Sequence, residues 1–200
     1  MYAQFTSNLL ILNTDEGLYR SFPGGITRTL STTFNIDPFV NYNDKKGNRY
    51  SLRTRVYYVD FDNDNNQANQ STIYFGEYQY QKRFNKIKDF TAIAGIMSTY
   101  TKSNSELYEG NEDSSGVSTA TNIAGYLQLD KKFYERITVS AGARREYFNV
   151  NNIDNRAKTV FRTGVSTRLL KETYIRASFG QGFRFPTIAE KYITTTVGPM

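Results

Sequence analysis

The sequence predicts an all-β fold: an antiparallel transmembrane β-barrel segment of about eight or nine strands, with short periplasmic turns and long extracellular loops. Three observations carry this expectation. After residue 30, apolar residues recur at every second position over most of the chain. In a strand that spacing puts them on one face and their polar neighbours on the other. The alternating segments run to roughly 10–13 residues, the length a tilted strand needs to cross hydrocarbon, whereas strands in soluble proteins are usually about 5–6. The connections also alternate in kind. Those near 45, 87, 133 and 172 are short and carry lysine; those near 65, 110, 153 and beyond Pro186 are mostly longer and richer in Asn, Asp, Ser and Glu.

Residues 1–30 are the hardest to read. Phe5 to Leu12 suits a strand, and Asn13 to Gly25 suits a loop broken by Asp15-Glu16-Gly17 and Pro23-Gly24-Gly25. From Thr33 the alternation settles. Phe34, Ile36, Pro38, Val40 and Tyr42 oppose Thr33, Asn35, Asp37 and Asn41, with Phe39 as an exception. Asn43 to Gly47 forms a tight turn. Between Tyr50 and Asp60, Leu52, Thr54, Val56 and Tyr58 lie opposite Arg53, Arg55 and Tyr57. After a polar loop from Phe61 to Gln70, the segment Thr72 to Lys82 sets Tyr74, Gly76, Tyr78 and Tyr80 against Glu77, Gln79 and Gln81. Phe90 to Tyr100 is apolar on both parities, so its faces stay open. A polar stretch from Thr101 to Thr121 has no period.

The C-terminal half repeats the design. Ile123, Gly125, Leu127 and Leu129 oppose Asn122, Gln128 and Asp130; Ile137, Val139, Ala141 and Ala143 oppose Thr138, Ser140, Gly142, Arg144 and Glu146. Phe161, Val165 and Leu169 then oppose Arg162, Ser166 and Arg168. The most regular segment is Tyr174 to Phe185. Ile175, Ala177, Phe179, Phe183 and Phe185 share one parity; Tyr174, Arg176, Ser178, Gly180, Gly182 and Arg184 share the other, until Pro186 removes a ladder donor. Thr187 to Tyr192 has room for one helical turn.

Composition narrows the function. The chain has 200 residues, no Cys and no His, so it lacks disulfides, thiolate chemistry, the usual general base and the commonest metal ligand. The longest apolar run, Ala92 to Met97, is far shorter than the ~20 residues of a membrane helix. The first residues show no basic start followed by an apolar run, so the sequence reads as an internal segment whose leader lies elsewhere. A net charge of +6 raises nucleic acid as a partner, but the basic residues are spread along strands and turns, which argues against it. No enzyme activity, cofactor or metal is expected.

Candidate motifs mostly fail on inspection. Gly180-Gln181-Gly182 begins like a dinucleotide fingerprint, but Phe185 holds the third glycine's place; the two glycines suit relief of crowding or a bend. Asp62 to Asn66 resembles the start of a calcium loop, yet Gln67 and Ile73 occupy the positions that need Gly and Glu. Glu106, Glu109, Glu112 and Asp113 fall in an aperiodic loop that does not fix a carboxylate pair. Arg53, Arg55, Arg144, Arg162, Arg168, Arg176 and Arg184 all fall on the polar parity. They are candidates to face the lumen, where they would either attract an anionic substrate or pair with acidic groups on neighbouring strands or on a filling element.

One string is specific enough to carry a resemblance. Arg176, Ser178, Gly180, Gly182, Phe183, Arg184, Pro186, Thr187, Glu190 and Tyr192 resemble the barrel signature of TonB-dependent outer-membrane receptors. Asn122 to Asp130 followed by Ile137 to Arg144 is similar to the strand pair that precedes it in that family, and Asp44 to Arg53 and Glu77 to Arg83 look like Bacteroidota members. The resemblance implies a 22-stranded barrel filled by a plug domain of the same full-length chain. It also implies residence in the outer membrane among its lipids, and uptake of a large nutrient (a ferric siderophore, cobalamin or similar) energised through TonB. Residues 1–200 are then part of such a barrel, with the plug and remaining strands outside them. Two rivals make different predictions. A complete small barrel or adhesin requires the first and last strands to pair, and a soluble β-sandwich binding module requires a core between two sheets.

Overall fold

The computed structural model describes residues 2–13, 18–64, 68–84, 87–105, 108, 116–170 and 172–192. Ten strands form one antiparallel sheet: β1 (Tyr2–Asn13), β2 (Leu18–Ile36), β3 (Phe39–Asn43), β4 (Arg49–Asn63), β5 (Asn69–Phe84), β6 (Phe90–Ser105), β7 (Val117–Phe133), β8 (Ile137–Val150), β9 (Asp154–Arg168) and β10 (Tyr174–Gly180). They are joined as a meander in the order β1-β2-β4-β5-β6-β7-β8-β9-β10. The short β3 lies beside β4, because Pro38 cannot donate to the ladder and splits one line of chain into β2 and β3. A five-residue helix, α1 (Ile188–Tyr192), follows β10. No helix among the described residues is long and apolar enough to cross a membrane, which says nothing of crossing by strands.

Register fixes the faces. One row of paired residues runs Arg53–Glu77–Met97–Ala124–Glu146–Lys158 across six strands. A second row, on the opposite face, runs Tyr50–Tyr80–Ala94–Leu127–Ala143–Phe161. The ladder also settles β6. Ala92, Ala94, Ile96 and Tyr100 join the apolar face, while Ile93, Gly95, Met97 and Thr99 join the polar one. Large side chains on the apolar face stand exposed, among them Leu52, Tyr74, Ile96, Leu127 and Phe161. Arg145, between Gly125 and Thr159, is a charged exception on that face. Its stem is long enough to carry the guanidinium toward the loop-end interface.

Aromatic rings gather toward both ends of the apolar face. Tyr42, Tyr50 and Tyr80 form a chain with centroids 5.8 and 4.9 Å apart, and Phe84–Phe90 adds a 5.1 Å pair at the turn end. Tyr74 and Tyr100 face each other at 6.3 Å toward the loop end. Rings flanking an apolar band are the pattern of barrels that sit between two membrane interfaces. Neither rival architecture matches. The sheet is a single layer, with no second sheet to enclose a sandwich core, and β1 and β10 end the strand order without pairing to each other among the described residues.

Four details depart from the sequence reading. The strands β4 to β9 are 14 to 17 residues long, longer than expected. At about 3.3 Å per residue and a tilt near 40°, 16 residues climb about 40 Å, well past a ~25 Å apolar band. The surplus is polar ladder at the loop end, such as Asn69–Ser105 and Asn104–Val117. Second, residues 18–25 belong to β2 rather than to a loop. The pairing steps from Asn8–Ile26 to Leu10–Ser21, so Pro23-Gly24-Gly25 falls where the register shifts instead of ending the strand. Third, the connection at 153 is tight. Asn151 and Asn152 have φ of 50° and 58°, and Ile153 N donates to Val150 O at 3.0 Å, a type I′ turn. Fourth, the last ladder stops at Gly180, five residues before Phe185.

The turn end is tied laterally. Tyr134 and Glu135 form a second I′ turn with φ of 48° and 57°, closed by Arg136 N on Phe133 O at 3.0 Å. Lys88 Nζ reaches Glu135 Oε1 at 3.0 Å, and each raises the other's tendency to stay charged: Lys88 holds the carboxyl below its ordinary range, and Glu135 lifts the amine above its own. In the turn Asp44–Asn48, Asp44 Oδ1 accepts from Lys46 N at 2.8 Å and Asn48 N at 2.9 Å, while Gly47 supplies the positive φ of 81°.

Candidate functional site

The polar face carries a network that crosses strands two at a time. Tyr126 on β7 lies over Gly95 on β6 and donates its hydroxyl to Glu77 Oε1 at 2.9 Å and Gln79 Oε1 at 3.1 Å, both on β5. A Cβ on Gly95 would collide with the Tyr126 ring, so only glycine leaves this path open. Arg162 on β9 repeats the arrangement, reaching Gln128 on β7 across Gly142 on β8. A Cβ on Gly142 would lie 3.3 Å from Arg162 Nε. Each reach ties three strands where a ladder bond ties two.

Six of the seven arginines singled out by parity fall on this face of the paired strands, in different circumstances, and the seventh, Arg184, lies past the end of the β10 ladder. Arg53 Nε lies 3.7 Å from Glu77 on the neighbouring strand. Arg55 clasps Asp37 with two bonds, at 2.5 and 2.9 Å. Arg144 binds Glu146 two residues along its own strand and contacts Met97 Sδ at 2.9 Å. Arg162 bonds Gln128, and Arg184 bonds Glu190 at 2.5 Å. Arg168 and Arg176 sit on the same parity as Arg162 in the β9–β10 register and make no ion pair among the described residues.

The signature string divides at Gly180. Arg176 and Gly180 are in β10, and Arg176 pairs with Ser166. Beyond it the chain leaves the ladder and folds across the polar face, as a strap over residues 181–192. Phe185 stacks on Phe148 of β8 at 4.8 Å and 5°, and Phe183 meets Phe185 edge-on at 4.9 Å. Phe148 has the parity of Arg144 and Glu146, so the expectation that Phe183 and Phe185 continue the apolar face of Ile175 and Phe179 is corrected. The reason is that parity sets facing only while the strand is paired, and pairing ends at Gly180. A Cβ on Gly182 would meet no atom within 4 Å, so crowding does not explain that glycine.

Pro186 and Thr187 lead into α1, which is fastened at both ends. Thr187 Oγ1 accepts from Glu190 N at 3.2 Å while Glu190 Oε2 accepts from Thr187 N at 2.8 Å, a capping box. The Thr187 amide, and after it Arg184, hold the Glu190 carboxyl below its ordinary range. Lys191 binds Asp154 at the start of β9. Tyr192, the last residue of the string, closes the helix. The capping box has a sequence signal, Thr-x-x-Glu, that a reading for strand alternation passes over; the reach of Tyr126 over Gly95 has no local signal at all.

Between strap and wall lies a cleft of about 550 Å³. Asn69, Ser71, Thr99, Thr101 and Asn122 form its polar side, and Phe183 and Phe185 its apolar side. At its upper edge Tyr108 is buried, with its hydroxyl 2.9 Å from Ser103 Oγ. Of the other motifs, Asp64 Oδ1 accepts from Arg28 N at 2.9 Å, while residues 65–67 of the calcium-like string and the loop acids Glu106, Glu109, Glu112 and Asp113 lie outside the described residues.

A family described as TonB dependent receptor-like, beta-barrel matches residues 3–199. The chain belongs to that family. No curated protein and no solved structure matches it significantly. The TonB-dependent receptor barrel is an outer-membrane architecture, and the family consists of receptors and transporters rather than enzymes. That agrees with an open, single-layer antiparallel sheet, which is part of a barrel wall.

Proposed function

We propose that this chain is wall from a receptor that takes up a large nutrient, such as a ferric siderophore or cobalamin, by TonB-energised transport. The apolar face meets outer-membrane lipid and the polar face lines the lumen. There, Arg53, Arg55, Arg144 and Arg162 hold the wall's own polar network, while Arg168 and Arg176 are available to meet the plug domain of the same full-length chain or the passing ligand. TonB engages the receptor through its N-terminal region. The observation that carries the reading is the contrast between the two faces: exposed Leu52, Ile96, Leu127 and Phe161 on one, and the Tyr126–Glu77–Gln79 and Arg144–Glu146 contacts on the other.

Residues 1–200 contain no cysteine, so single cysteines placed here report facing cleanly once any cysteine elsewhere in the receptor is replaced. In the full-length receptor in outer membranes, Leu127→Cys should be labelled by a lipid-soluble maleimide and spared by a water-soluble one. Gln128→Cys should show the reverse. Equal labelling of both sites would sink the reading. Uptake that survives removal of TonB would sink the energised step alone.

A further inference from the structure

We propose that the turn end of the apolar face holds one anionic phospholipid of the inner leaflet, with its phosphate between Lys82 and Lys131. The inference rests on the apolar face meeting outer-membrane lipid, as proposed above, with the short turns at the periplasmic side. Two lysines break the apolar pattern there. Lys82 pairs with Ala92 and Lys131 with Phe90, so both share the parity of Tyr80 and Leu129. Strand geometry sets them about 10 Å apart across β6 and about 7 Å apart along it. Each ammonium lies over the ring two residues further along its strand, toward the turn. Lys82 Nζ is 5.0 Å from the Phe84 centroid, and Lys131 Nζ is 5.8 Å from that of Phe133. Lys131 also donates to Lys88 O, which pins its ammonium to the rim. Both stems therefore run along the wall and end at the level of the headgroups.

Charge and shape select the partner. Over the turn half of β5 to β8, no Asp or Glu stands on the apolar parity. In the adjoining turns Glu135 is taken by Lys88, and neither lysine makes an ion pair among the described residues. Two cations without a counter-charge from the protein, placed at a membrane interface, favour an anionic headgroup. The surface between and behind them is apolar. Phe84 and Phe90 meet at 5.1 Å, and toward mid-membrane Ala92 and Ala94 make a shallow floor flanked by Tyr80, Leu127 and Leu129. A free phosphate would use the lysines alone. A phospholipid uses both features, with its phosphate against the ammoniums and an acyl chain along the alanines.

The test uses the full-length receptor, purified in detergent and stripped of lipid, with native mass spectrometry counting the lipid that rebinds. Dioleoylphosphatidylglycerol should bind at least about tenfold more tightly than dioleoylphosphatidylcholine. Lys82→Gln and Lys131→Gln should each weaken it about fivefold, and together they should remove the preference with heat-modifiable mobility unchanged. Arginine at both positions should keep the preference. Lys132→Gln removes the same charge one residue away, on the polar face, and should leave the preference as it was. Inorganic phosphate at the lipid's concentration should not displace it. Four results would overturn the site: no preference for the anionic lipid, a preference that survives loss of both lysines, an equal loss in Lys132→Gln, or displacement by phosphate. A receptor that passes the cysteine test yet shows no lipid preference refutes the site alone. Failure of the cysteine test refutes the facing beneath it.

Discussion

Ile175 and Phe179 share a parity with Phe183 and Phe185, yet the two pairs do opposite things. The first pair stands exposed on the apolar face, held there by the β9 ladder at Thr167 and Thr163. The second turns inward to stack on Phe148, among the polar residues of β8. The side chains are of one kind, and the difference is backbone pairing. A two-residue period decides facing only where both neighbours of a residue are locked in extended geometry. Once the ladder is released, the same hydrophobicity finds the nearest apolar partner, here an aromatic ring on the wall's inner side.

The strongest way to break this comparison is to charge the ladder-held face. Leu127, mid-strand in β7 and exposed on the apolar side, is the best position. Leu127→Arg should destabilise the receptor by about 2–4 kcal/mol in lipid vesicles, by equilibrium unfolding, and Gln128→Leu by much less. Ile175 is the second residue of β10, close to the hairpin turn, so Ile175→Arg should cost under about 1 kcal/mol. Equal costs at Leu127 and Gln128 would mean that the faces are misassigned.

The strap should respond to a different residue. Phe148 is 8% exposed and carries the ring stack, so Phe148→Ala should cost about 2 kcal/mol. It should also free the strap, seen as narrowed spectral lines from a spin label at Ala189→Cys. Phe179→Ala should leave that label unmoved. If both substitutions mobilise it, the strap is anchored through β10 and not through β8.

Glycines sharpen the picture further, because they divide by face in the same way. Gly95→Ala drives a methyl into the Tyr126 ring and breaks its bonds to Glu77 and Gln79. A loss of about 1–2 kcal/mol is expected in the same unfolding assay. Gly125 has nothing within 4 Å, so Gly125→Ala should be neutral or stabilise by up to about 0.5 kcal/mol.

How much is legible in the sequence follows the same division. Most of the wall from Thr33 to Arg168 is readable because alternation there is both the sequence signal and the physical cause of facing, and the register agrees with the alternation read in β4, β5, β8, β9 and Asn122 to Asp130 of β7. β6 is opaque, since Ile93 and Met97 are apolar on the polar side; Met97 packs there against Arg144. The Asn151-Asn152 turn reads as a longer loop because Ile153 to Asn155 looks like polar punctuation, whereas two adjacent asparagines are themselves the signal for a two-residue I′ turn. The cleft and the reaches over Gly95 and Gly142 depend on which residues become neighbours across three strands, and no window of sequence holds that information.

The smallest effect concerns the helix that ends the strap. Glu190 is held below its ordinary carboxyl value of 4.5, chiefly by the Thr187 amide and then by Arg184. A depressed value in the folded state means that the stabilisation is complete above the unfolded value and is lost as the pH falls through the folded one. The strap should therefore be unchanged from neutral pH down to about 5 and loosen progressively below about 4.5. The spin label at Ala189→Cys reports this directly, with the wall serving as an internal reference through a label at Leu127→Cys. Glu190→Gln keeps part of the capping geometry without the charge, so it should weaken the strap at neutral pH and flatten its acid response. Asp154, which accepts Lys191, lies on the same side of the balance, so a residual acid response in Glu190→Gln that disappears in Glu190→Gln with Asp154→Asn would assign the remainder to that second tie. An acid response unchanged in Glu190→Gln would show that the capping box does not hold the strap.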